Sequence, residues 1–328
     1  MKAIVIDEPG DESVLRVGDA ERPELVPGSI RIRVAAAGVN RADLLQRQGL
    51  YPSPPGASDV LGLECAGEVI EVADDVSASD WKPGDRAMAL LPGGGYAEEV
   101  VVDAGSALPV PERLSFEEAA AVPEVFLTVY LNVFELAAFP DGGALLVHGG
   151  GSGIGTATIQ LVKAAGGVCV VTAGSTEKCE RCLALGADVA VNYRTGDFAA
   201  EAREATGGRG VDVVLDSIGA PYLEPNLNAL ATSGRLVLIG LMGGAKAEIN
   251  LGLLLARRLT VIGSTLRARP AAEKARIAAG FRDRFGRDLE SGRIAPTLDR
   301  VLPLDAAPEA HRAMKASEHF GKIVLRIA

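Results

Sequence analysis

The sequence predicts an α/β protein of two domains, one an irregular β domain and the other built on a doubly wound parallel sheet. The chain has 328 residues, which is more than one hydrophobic core usually organises. Its hydrophobic period changes near residue 123, from short β segments between Gly and Pro turns to alternating helices and strands. A glycine-rich turn follows a short apolar strand in this second part. We therefore expect one domain over residues 1–122 and 267–328 and another over 123–266.

The first domain is predicted from short extended segments and little helix. β segments at 29–36 and 67–72 are bounded by turn residues, and a helical pattern covers 42–48. After residue 265 the pattern predicts an amphipathic helix over 270–285. Two further extended segments, 298–301 and 323–326, are expected to return to this domain.

The second domain is predicted from a helix over 124–136 and from six strand segments that alternate with helices. Such alternation makes a parallel sheet with helices on both faces. The last segment is apolar and would leave a sheet edge unpaired, so we expect a homodimer or a dimer of dimers. The six strand segments are 144–147, 168–172, 188–191, 211–216, 235–239 and 259–262.

The glycine-rich turn is the most informative stretch of the chain. In ALLVHGGGSGIGTATIQLVKAAGGVCVV a strand leads through glycines into a helix and a second strand. The helix start presents unpaired N–H groups to a pyrophosphate, and glycines let the backbone approach it. Serine replaces the middle glycine of the usual G-x-G-x-x-G spacing. The pattern still predicts a nicotinamide cofactor bound by the turn residues Gly150, Gly151, Ser152, Gly153, Ile154 and Gly155.

The residues after the second strand indicate which dinucleotide binds. NAD sites usually place an Asp or Glu there, about 20 residues beyond the turn. Here the strand leads into Ala173, Gly174 and Ser175, and Glu177 comes only later. Gly174 leaves room for a 2′-phosphate, Ser175 can donate to it, and Lys178 can supply charge. We therefore expect NADPH, with Lys178 as an ordinary solvated helix residue as the alternative.

Composition and charge exclude several classes of partner. The net charge of −10 argues against nucleic acid as the main partner. The first apolar run is too short for a signal peptide, and no segment has about 18 uninterrupted apolar residues, so we expect a cytoplasmic protein without a membrane partner. The C-x-x-C of Cys179 and Cys182 falls in a predicted helix, far from other ligands, and the three histidines are scattered. A metal cluster is therefore not expected.

Several segments together carry a family resemblance that spans nearly the entire chain. The sequence resembles the medium-chain dehydrogenase/reductase superfamily, in particular its zinc-free quinone oxidoreductase branch, which includes the zeta-crystallins, and it is most similar to the p53-inducible type. The resemblance implies a GroES-like β domain followed by a Rossmann domain. The matching segments are VAAAGVNRADLLQRQGLYPSPPG, VLGLECAGEV, GDRAMALLPGGGYAEEV, HGGGSGIGTATIQLVKAAG, VTAGSTEK, LIGLMGG and GKIVL.

The same resemblance indicates that zinc has been lost. Zinc alcohol dehydrogenases of the superfamily have a cysteine ligand where this chain has Asn40, and a histidine where it has Leu63. Neither side chain is a thiolate or imidazole of the kind that catalytic zinc requires. We expect no bound metal, and alcohol oxidation assisted by a metal is disfavoured.

Tyr51, in the turn GLYPSPPG, is the side chain that we expect to face the substrate, because it can donate to a quinone oxygen and pack on the ring. The alternative is a half-buried loop aromatic. Asn40 and Asp43 are expected to hold the nicotinamide ribose or the adjacent loop, and a purely structural role is equally open for Asp43.

The resemblance also implies cofactor contacts along the second domain and from the closing segment. For Tyr193 the alternative is packing, and for Lys322 it is a solvated lysine before a strand. The further expected contacts are Thr128, Tyr193, Ser217, Leu241, Met242, Gly243, Ser264, Thr265, Leu266 and Lys322.

These residues lead to an expected NADPH-dependent quinone reductase acting on a small-molecule substrate. A 2-enal or enone reductase of the same fold is the alternative, because both reactions need only hydride delivery to a conjugated acceptor and a proton from Tyr51 or water. A cofactor-binding module with a structural or sensing duty is a third possibility.

Overall fold

A computed structural model describes residues 1–327, and Ala328, the last residue of the predicted first domain, lies outside them. The chain divides into two compact units. Unit 1 comprises Met1–Leu127, Leu266–Gly292 and Pro296–Ala328, and unit 2 comprises Thr128–Thr265 with Arg293–Ala295.

Fifteen strands are present in the described residues. In chain order they are β1 Lys2–Val5, β2 Arg16–Asp19, β3 Ser29–Gly38, β4 Glu64–Val72, β5 Arg86–Leu90, β6 Glu99–Asp103, β7 Ala107–Pro109, β8 Ala144–His148, β9 Val168–Ala173, β10 Val189–Asn192, β11 Val211–Asp216, β12 Leu230–Leu238, β13 Thr260–Gly263, β14 Leu298–Pro303 and β15 Lys322–Arg326.

The α-helices are mostly short, and a π-helical segment, Tyr130–Leu136, follows the third of them. They are α1 Arg41–Arg47, α2 Phe116–Ala119, α3 Pro123–Val129, α4 Gly153–Ala164, α5 Thr176–Ala184, α6 Phe198–Glu204, α7 Leu223–Ala229, α8 Leu251–Arg257, α9 Ala271–Ser291 and α10 Ala307–Lys315.

Unit 1 is built on a seven-stranded sheet in the order β14-β15-β3-β4-β5-β7, with β6 also paired to β3. The long strand β3 contributes Ile30, Ile32 and Val34 to one core, because alternate residues of a strand face the same side. The predicted return of the C-terminal segments to this domain is confirmed: β15 pairs with β3, and β14 pairs with β15.

Unit 2 contains a six-stranded sheet in the order β10-β9-β8-β11-β12-β13, and every neighbouring pair is parallel. The chain adds β9 and β10 on one side of β8 and then adds β11, β12 and β13 on its other side. The strand order therefore reverses between β8 and β11, which confirms the doubly wound sheet. All five residues of β8 are buried, as expected for a central strand covered on both faces. The last strand, β13, forms the predicted edge.

Some elements differ from the sequence prediction. β12 begins at Leu230 rather than at residue 235, because Leu230 pairs with Val211 before the register shifts. The predicted helix 270–285 continues to Ser291. Helix α10, which the patterns did not predict, packs its buried face, including Ala310 and Met314, into a second core of unit 1.

The unit boundaries also differ slightly from the predicted ones. Unit 1 extends to Leu127, since Phe126 of α3 packs against Phe281 of α9 with ring centroids 6.1 Å apart. Residues Arg293–Ala295 belong to unit 2, where the Ala295 N–H donates to Gln160 Oε1 over 2.7 Å.

Within residues 1–327 one helical stretch, Phe116–Leu136, is long and apolar enough to cross a membrane by composition, with an 18-residue window of mean hydropathy 1.4. In the structure 78% of that window is buried, which is typical of a core helix.

Candidate active site

The glycine-rich turn of unit 2 is shaped for close backbone approach. Gly149 has a φ of 74°, and the Gly150 N–H donates to the Thr172 carbonyl of β9 over 2.8 Å. A Cβ on Gly155 would lie 2.3 Å from the Gly149 carbonyl oxygen, so only glycine fits there. Ser152 Oγ accepts from the Gly155 N–H at 3.0 Å and caps α4. This cap is the physical reason for serine at the middle position.

The other residues of the turn occupy the entry to α4. Gly151 is buried within the turn, and Gly153 and Ile154 are the first two residues of the helix. The turn therefore places the positive end of a twelve-residue helix directly after β8. That arrangement fits a pyrophosphate.

The residues predicted to select the dinucleotide lie where β9 leads into α5. Ser175 caps α5, and its Oγ accepts from the Lys178 N–H at 3.2 Å. A Cβ on Gly174 would lie 2.9 Å from Tyr193 Oη, so this glycine makes room for the tyrosine. Tyr193 is 44% exposed, and Glu177 also points away from the core. The start of α5 with its Ser175 cap thus follows Gly174, which lies against the Tyr193 ring.

The loops that follow β11 and β12 are joined at the same edge of the sheet. The Met242 N–H donates to the Ser217 carbonyl over 3.1 Å, and the Gly243 N–H donates to the Ile218 carbonyl over 2.7 Å. Leu241 and Met242 are 51% and 57% exposed. Because ligands of doubly wound sheets bind outside the carboxyl ends of the strands, this exposed apolar surface suits a cofactor.

The remaining residues predicted in this part of the chain occupy different surroundings. The Ser264 N–H donates to the Leu238 carbonyl over 3.0 Å, which places Ser264 at the same edge. Thr265 is exposed and ends that segment of unit 2, whereas Leu266 belongs to unit 1 and is buried. Thr128 is 8% exposed, and its carbonyl accepts from the Asn132 side chain.

A buried network that the sequence patterns do not reveal supports these strand ends. Burial lowers the pKa of His148 to about 4, so the ring is neutral. Its Nε2–H donates to Asn226 Oδ1 at 2.7 Å, and its Nδ1 accepts from Thr172 Oγ1 at 3.1 Å. Asn226 Nδ2 in turn donates to Asp216, whose carboxylate also accepts from the backbone of Gly219. The network ties β8, β9 and β11 together at the ends that lead into the predicted ligand loops.

In unit 1, Asn40 and Asp43 form the start of α1. The Asn40 N–H donates to Asp43 Oδ2 at 2.8 Å, and Tyr96 Oη donates to the same oxygen at 3.0 Å. The Gly62 N–H donates to the other oxygen. Asp43 has no exposed surface, and burial raises its pKa to about 6. Of the two roles open for Asp43, this geometry favours the structural one, which is to hold the loops around α1.

Tyr51 is half-buried and is held by a residue that the sequence patterns do not single out, Arg267. The guanidinium carbon lies 5.3 Å from the Tyr51 ring centre, and Nη1 donates to the Tyr51 carbonyl at 3.3 Å. Arg267 also donates to Gln46 Oε1 and to the Pro92 carbonyl. Burial and the charge of Glu124 raise the pKa of the Tyr51 phenol, whereas Arg267 lowers it. In the sequence, the only signal for Arg267 was its position directly after three predicted cofactor contacts, Ser264, Thr265 and Leu266.

A buried ion pair joins β4 to β15. Lys322 Nζ lies 2.5 Å from Glu64 Oε1 and donates to Asn40 Oδ1 at 2.7 Å and to the Val39 carbonyl at 2.9 Å. The lysine is only 3% exposed. This geometry does not favour the cofactor contact that the resemblance implies for Lys322, which stays a prediction. The Glu124 N–H donates to the second oxygen of Glu64 at 2.8 Å.

The side chains at the former zinc positions do not form a metal site. The Asn40 amide donates to Glu64 and accepts from Lys322, and Leu63 is a buried aliphatic side chain. Across residues 1–327 no three His, Cys, Asp or Glu side chains are grouped as metal ligands. Cys179 and Cys182 are free, buried thiols, and burial raises their pKa values, as it does for structural cysteines. This donor set does not fit zinc.

Two family descriptions match the chain. "Alcohol dehydrogenase GroES-like domain" matches residues 26–112, and "Zinc-binding dehydrogenase" matches residues 153–279. The chain belongs to the medium-chain dehydrogenase/reductase superfamily, a class of oxidoreductases.

Curated relatives point to more than one branch of the superfamily. Quinone oxidoreductase of Rattus norvegicus is 30% identical over 328 residues, which cover 99% of this chain and 97% of the relative. A highly reducing polyketide synthase of Emericella nidulans is 34% identical over 94% of this chain. The chain spans only 12% of that synthase and 14% of the similar mycobacterial synthases.

Solved structures confirm the fold and differ in activity. An NAD-dependent alcohol dehydrogenase has a TM-score of 0.87 at 34% identity, with full coverage of both chains. A Pseudomonas syringae quinone oxidoreductase has a TM-score of 0.87 at 30% identity, with 99% of both chains covered. A mycobacterial structure complexed with NADPH has a TM-score of 0.86 at 30% identity, with full coverage of both chains. The CurK enoyl reductase has a TM-score of 0.85 at 28% identity, with 100% of this chain and 99% of the other chain covered.

Proposed function

We propose that this chain is an NADPH-dependent quinone oxidoreductase that works without a metal. The observation that carries the proposal is the half-buried Tyr51 phenol, held by Arg267 in a unit whose former zinc positions are Asn40 and Leu63. With no donor set for a Lewis-acid metal, an acceptor must accept hydride with little activation, as a quinone does.

The choice of NADPH is supported by the end of β9. Ser175, Lys178 and the start of α5 would hold the 2′-phosphate, and the turn from Gly149 to Gly155 would hold the pyrophosphate. NADPH supplies the hydride when bound. The similar mycobacterial structure complexed with NADPH agrees with this choice, and the similar NAD-dependent alcohol dehydrogenase makes it a matter for measurement.

In this mechanism Tyr51 orients the acceptor. Its hydroxyl would donate to the acceptor oxygen that gains negative charge, and its ring would pack against the acceptor. Arg267 keeps the Tyr51 loop in place through the Tyr51 and Pro92 carbonyls, so its role is positional.

A 2-enal or enone reductase is the second candidate, favoured by the similarity to the CurK enoyl reductase. The same tyrosine would donate to the carbonyl oxygen of a conjugated acceptor.

Steady-state oxidation of NADPH and NADH against ortho-quinones, para-quinones and 2-alkenals tests the proposal. We expect turnover with NADPH and the highest kcat/KM for a quinone. Preference for a 2-alkenal would favour the second candidate. NADPH binding without turnover of any acceptor would favour a cofactor-binding module. Purified protein should lack stoichiometric zinc and keep its activity in chelator, and activity lost to chelation and restored by zinc would contradict metal independence.

A further inference from the structure

A chain of hydrogen bonds within unit 2 begins at the buried carboxylate of Asp216, at the end of β11. Its Oδ1 accepts from the Ile218 N–H over 2.6 Å, and its Oδ2 accepts from the Gly219 N–H over 3.1 Å. Oδ2 also accepts from Asn226 Nδ2 over 3.0 Å. Asp216 and Asn226 have no exposed surface. The carboxylate thus holds the loop after β11 and orients the Asn226 side-chain amide.

The chemistry of each group fixes the direction of the next hydrogen bonds. A carboxylate only accepts, so the Asn226 NH2 group faces Asp216, and Asn226 Oδ1 faces His148 Nε2 at 2.7 Å. The His148 ring is neutral because burial lowers its pKa to about 4. Its single proton must therefore lie on Nε2, and Nδ1 must accept from the Thr172 hydroxyl at 3.1 Å.

Thr172, in β9, carries the chain to the glycine-rich turn. Its Oγ1 accepts from the Gly149 N–H over 3.3 Å, and its carbonyl accepts from the Gly150 N–H over 2.8 Å. Glycine has more backbone freedom than any other residue, so these two hydrogen bonds restrict a segment that would otherwise sample many conformations. The turn is therefore held from β9 by a residue that the sequence patterns do not single out.

The other end of the chain reaches the loops after β11 and β12, which are bonded to each other. The Gly243 N–H donates to the Ile218 carbonyl over 2.7 Å, and the Ala220 N–H donates to the Gly244 carbonyl over 3.0 Å. A dinucleotide binds across the crevice where the strand order reverses, which lies between β8 and β11. With its pyrophosphate on the turn and its adenosine at the end of β9, its other half would lie at the loops after β11 and β12.

We propose that Thr172, His148 and Asn226 are positioning residues of the dinucleotide site, which hold the glycine-rich turn in place relative to the loops after β11 and β12. They act through the backbone and need not touch the ligand. A ligand that spans both structures binds more tightly when they are already arranged for it. The inference rests on the dinucleotide binding of the proposed function and not on the acceptor that is reduced.

Thr172→Val tests the central link of the chain. Valine has the shape of threonine without the hydroxyl, so the Gly149 N–H and His148 Nδ1 both lose their partner. The matched control is Thr206→Val, because Thr206 Oγ1 also accepts from a glycine N–H, that of Gly210, over 2.9 Å. This second pair lies just before β11, at the edge of the parallel sheet opposite to the turn. Thr172→Ser keeps the hydroxyl and should restore wild-type binding.

Calorimetric titration with NADPH and with adenosine 2′,5′-bisphosphate gives the affinities. Thr172→Val should raise the Kd of NADPH by about 3- to 10-fold, as expected for the loss of one buried hydrogen bond. Adenosine 2′,5′-bisphosphate does not extend to the loops after β11 and β12, so its affinity should fall less. Urea unfolding should show both valine variants to be less stable than the wild type, whereas Thr206→Val should bind NADPH as the wild type does.

His148→Phe breaks the chain at a second point. It keeps the ring packing against Phe198 and Tyr222, whose ring centroids lie 4.8 and 4.7 Å away, and removes both nitrogens. NADPH binding should weaken here too. Because both substitutions interrupt the same chain, the double variant with Thr172→Val should lose little more affinity than the weaker-binding single variant. If Thr172→Val does not fold, the NADPH affinity of His148→Phe decides.

The outcomes separate the positioning role from the proposed function. Equal NADPH affinity of the wild type, Thr172→Val and His148→Phe would overturn the positioning role and leave the reductase proposal intact. Equal losses for NADPH and for adenosine 2′,5′-bisphosphate would confine the effect to the turn and overturn its link to the loops after β11 and β12. A wild type that binds neither NADPH nor NADH would overturn the proposed function and the inference with it.

Discussion

At the scale of single residues, the polar groups near the proposed sites are positioned by neighbours distant in sequence. Arg267 contacts Tyr51 across 216 residues, and Lys322 reaches Asn40 across 282. Buried polar groups of this kind are stable only when their hydrogen bonds are satisfied. Glu124 Oε2 is among the buried polar atoms of the described residues that have no hydrogen-bond partner.

Lys178 should determine the preference for NADPH. We expect the wild type to bind NADPH more tightly than NADH by about 2 kcal/mol, since charge-assisted hydrogen bonds to a 2′-phosphate are strong, and Lys178→Ala should remove most of the difference. Calorimetric titration with both cofactors measures this difference in affinity. Lys82→Ala, which replaces an exposed lysine of unit 1, is the control. Equal affinity of the wild type for the two cofactors would contradict the assignment.

Tyr51 should act through its hydroxyl. Tyr51→Phe keeps the ring under Arg267 and deletes only the donor, so kcat/KM for a quinone should fall by the equivalent of about 1–3 kcal/mol, with NADPH affinity nearly unchanged. Tyr51→Ala should cost more because ring packing is lost as well. Wild-type rates in both variants, with every quinone and enal tested, would show Tyr51 to be a loop aromatic.

At the scale of elements, the glycines of the turn between β8 and α4 are required by close packing at least as much as by contact with a ligand. Gly155 touches the Gly149 carbonyl, and a Cβ on Gly150 would lie 2.8 Å from Val171. Ser152 supplies the cap of α4. The turn thus joins β8 closely to α4, and the backbone N–H groups at the helix start stay available to a ligand.

Gly155→Ala should disturb this junction. The new methyl group would overlap backbone at 2.3 Å, so we expect destabilisation of about 1–3 kcal/mol and weaker NADPH binding. Urea unfolding and fluorescence titration measure the two effects. Gly286→Ala is the matched control: that glycine is inside α9, where a Cβ meets nothing closer than 3.4 Å, and alanine there should stabilise by up to about 1 kcal/mol. Equal behaviour of the two variants would contradict the packing argument.

At the scale of the whole molecule, the edge of the unit 2 sheet at β13 has no pairing partner in the described residues. β13 is the last strand of the unit 2 sheet, and its Val261 is 37% exposed. Exposed apolar edges associate unless they are covered or charged. A two-fold pairing of β13 with its copy would extend the sheet through both subunits.

We expect a homodimer, or a dimer of dimers, at micromolar concentration. Val261→Lys should shift it towards monomer, because a charge on the edge opposes pairing. Val17→Lys, at a valine of β2 that is 42% exposed, is the control. Light scattering after size exclusion measures all three proteins. A monomeric wild type, or equal dissociation of both variants, would count against the edge interface.

Much of the fold could be predicted from the sequence because its signals are local. Hydrophobic periodicity placed the strands of the unit 2 sheet without knowledge of distant contacts, whereas the 2′-phosphate site at Gly174 and Ser175 stays a prediction. Helix α10 escaped prediction because its short, alanine-rich face shows its apolar character only against the core it covers.

The sequence by itself thus determined the alternation of strands and helices in unit 2 and the turn that suits a dinucleotide, and the family resemblance implies that Asn40 and Leu63 stand where zinc ligands would be. Only the tertiary structure decided which polar groups are satisfied: Asp43 by Tyr96, Glu64 by Lys322, and Glu124 by neither. The physical reason is the distance along the chain over which each kind of interaction acts. Turn chemistry and hydrophobic period act over a few residues, whereas the protonation of a carboxyl group depends on burial and on charges that the chain brings together from strands and helices far apart in sequence.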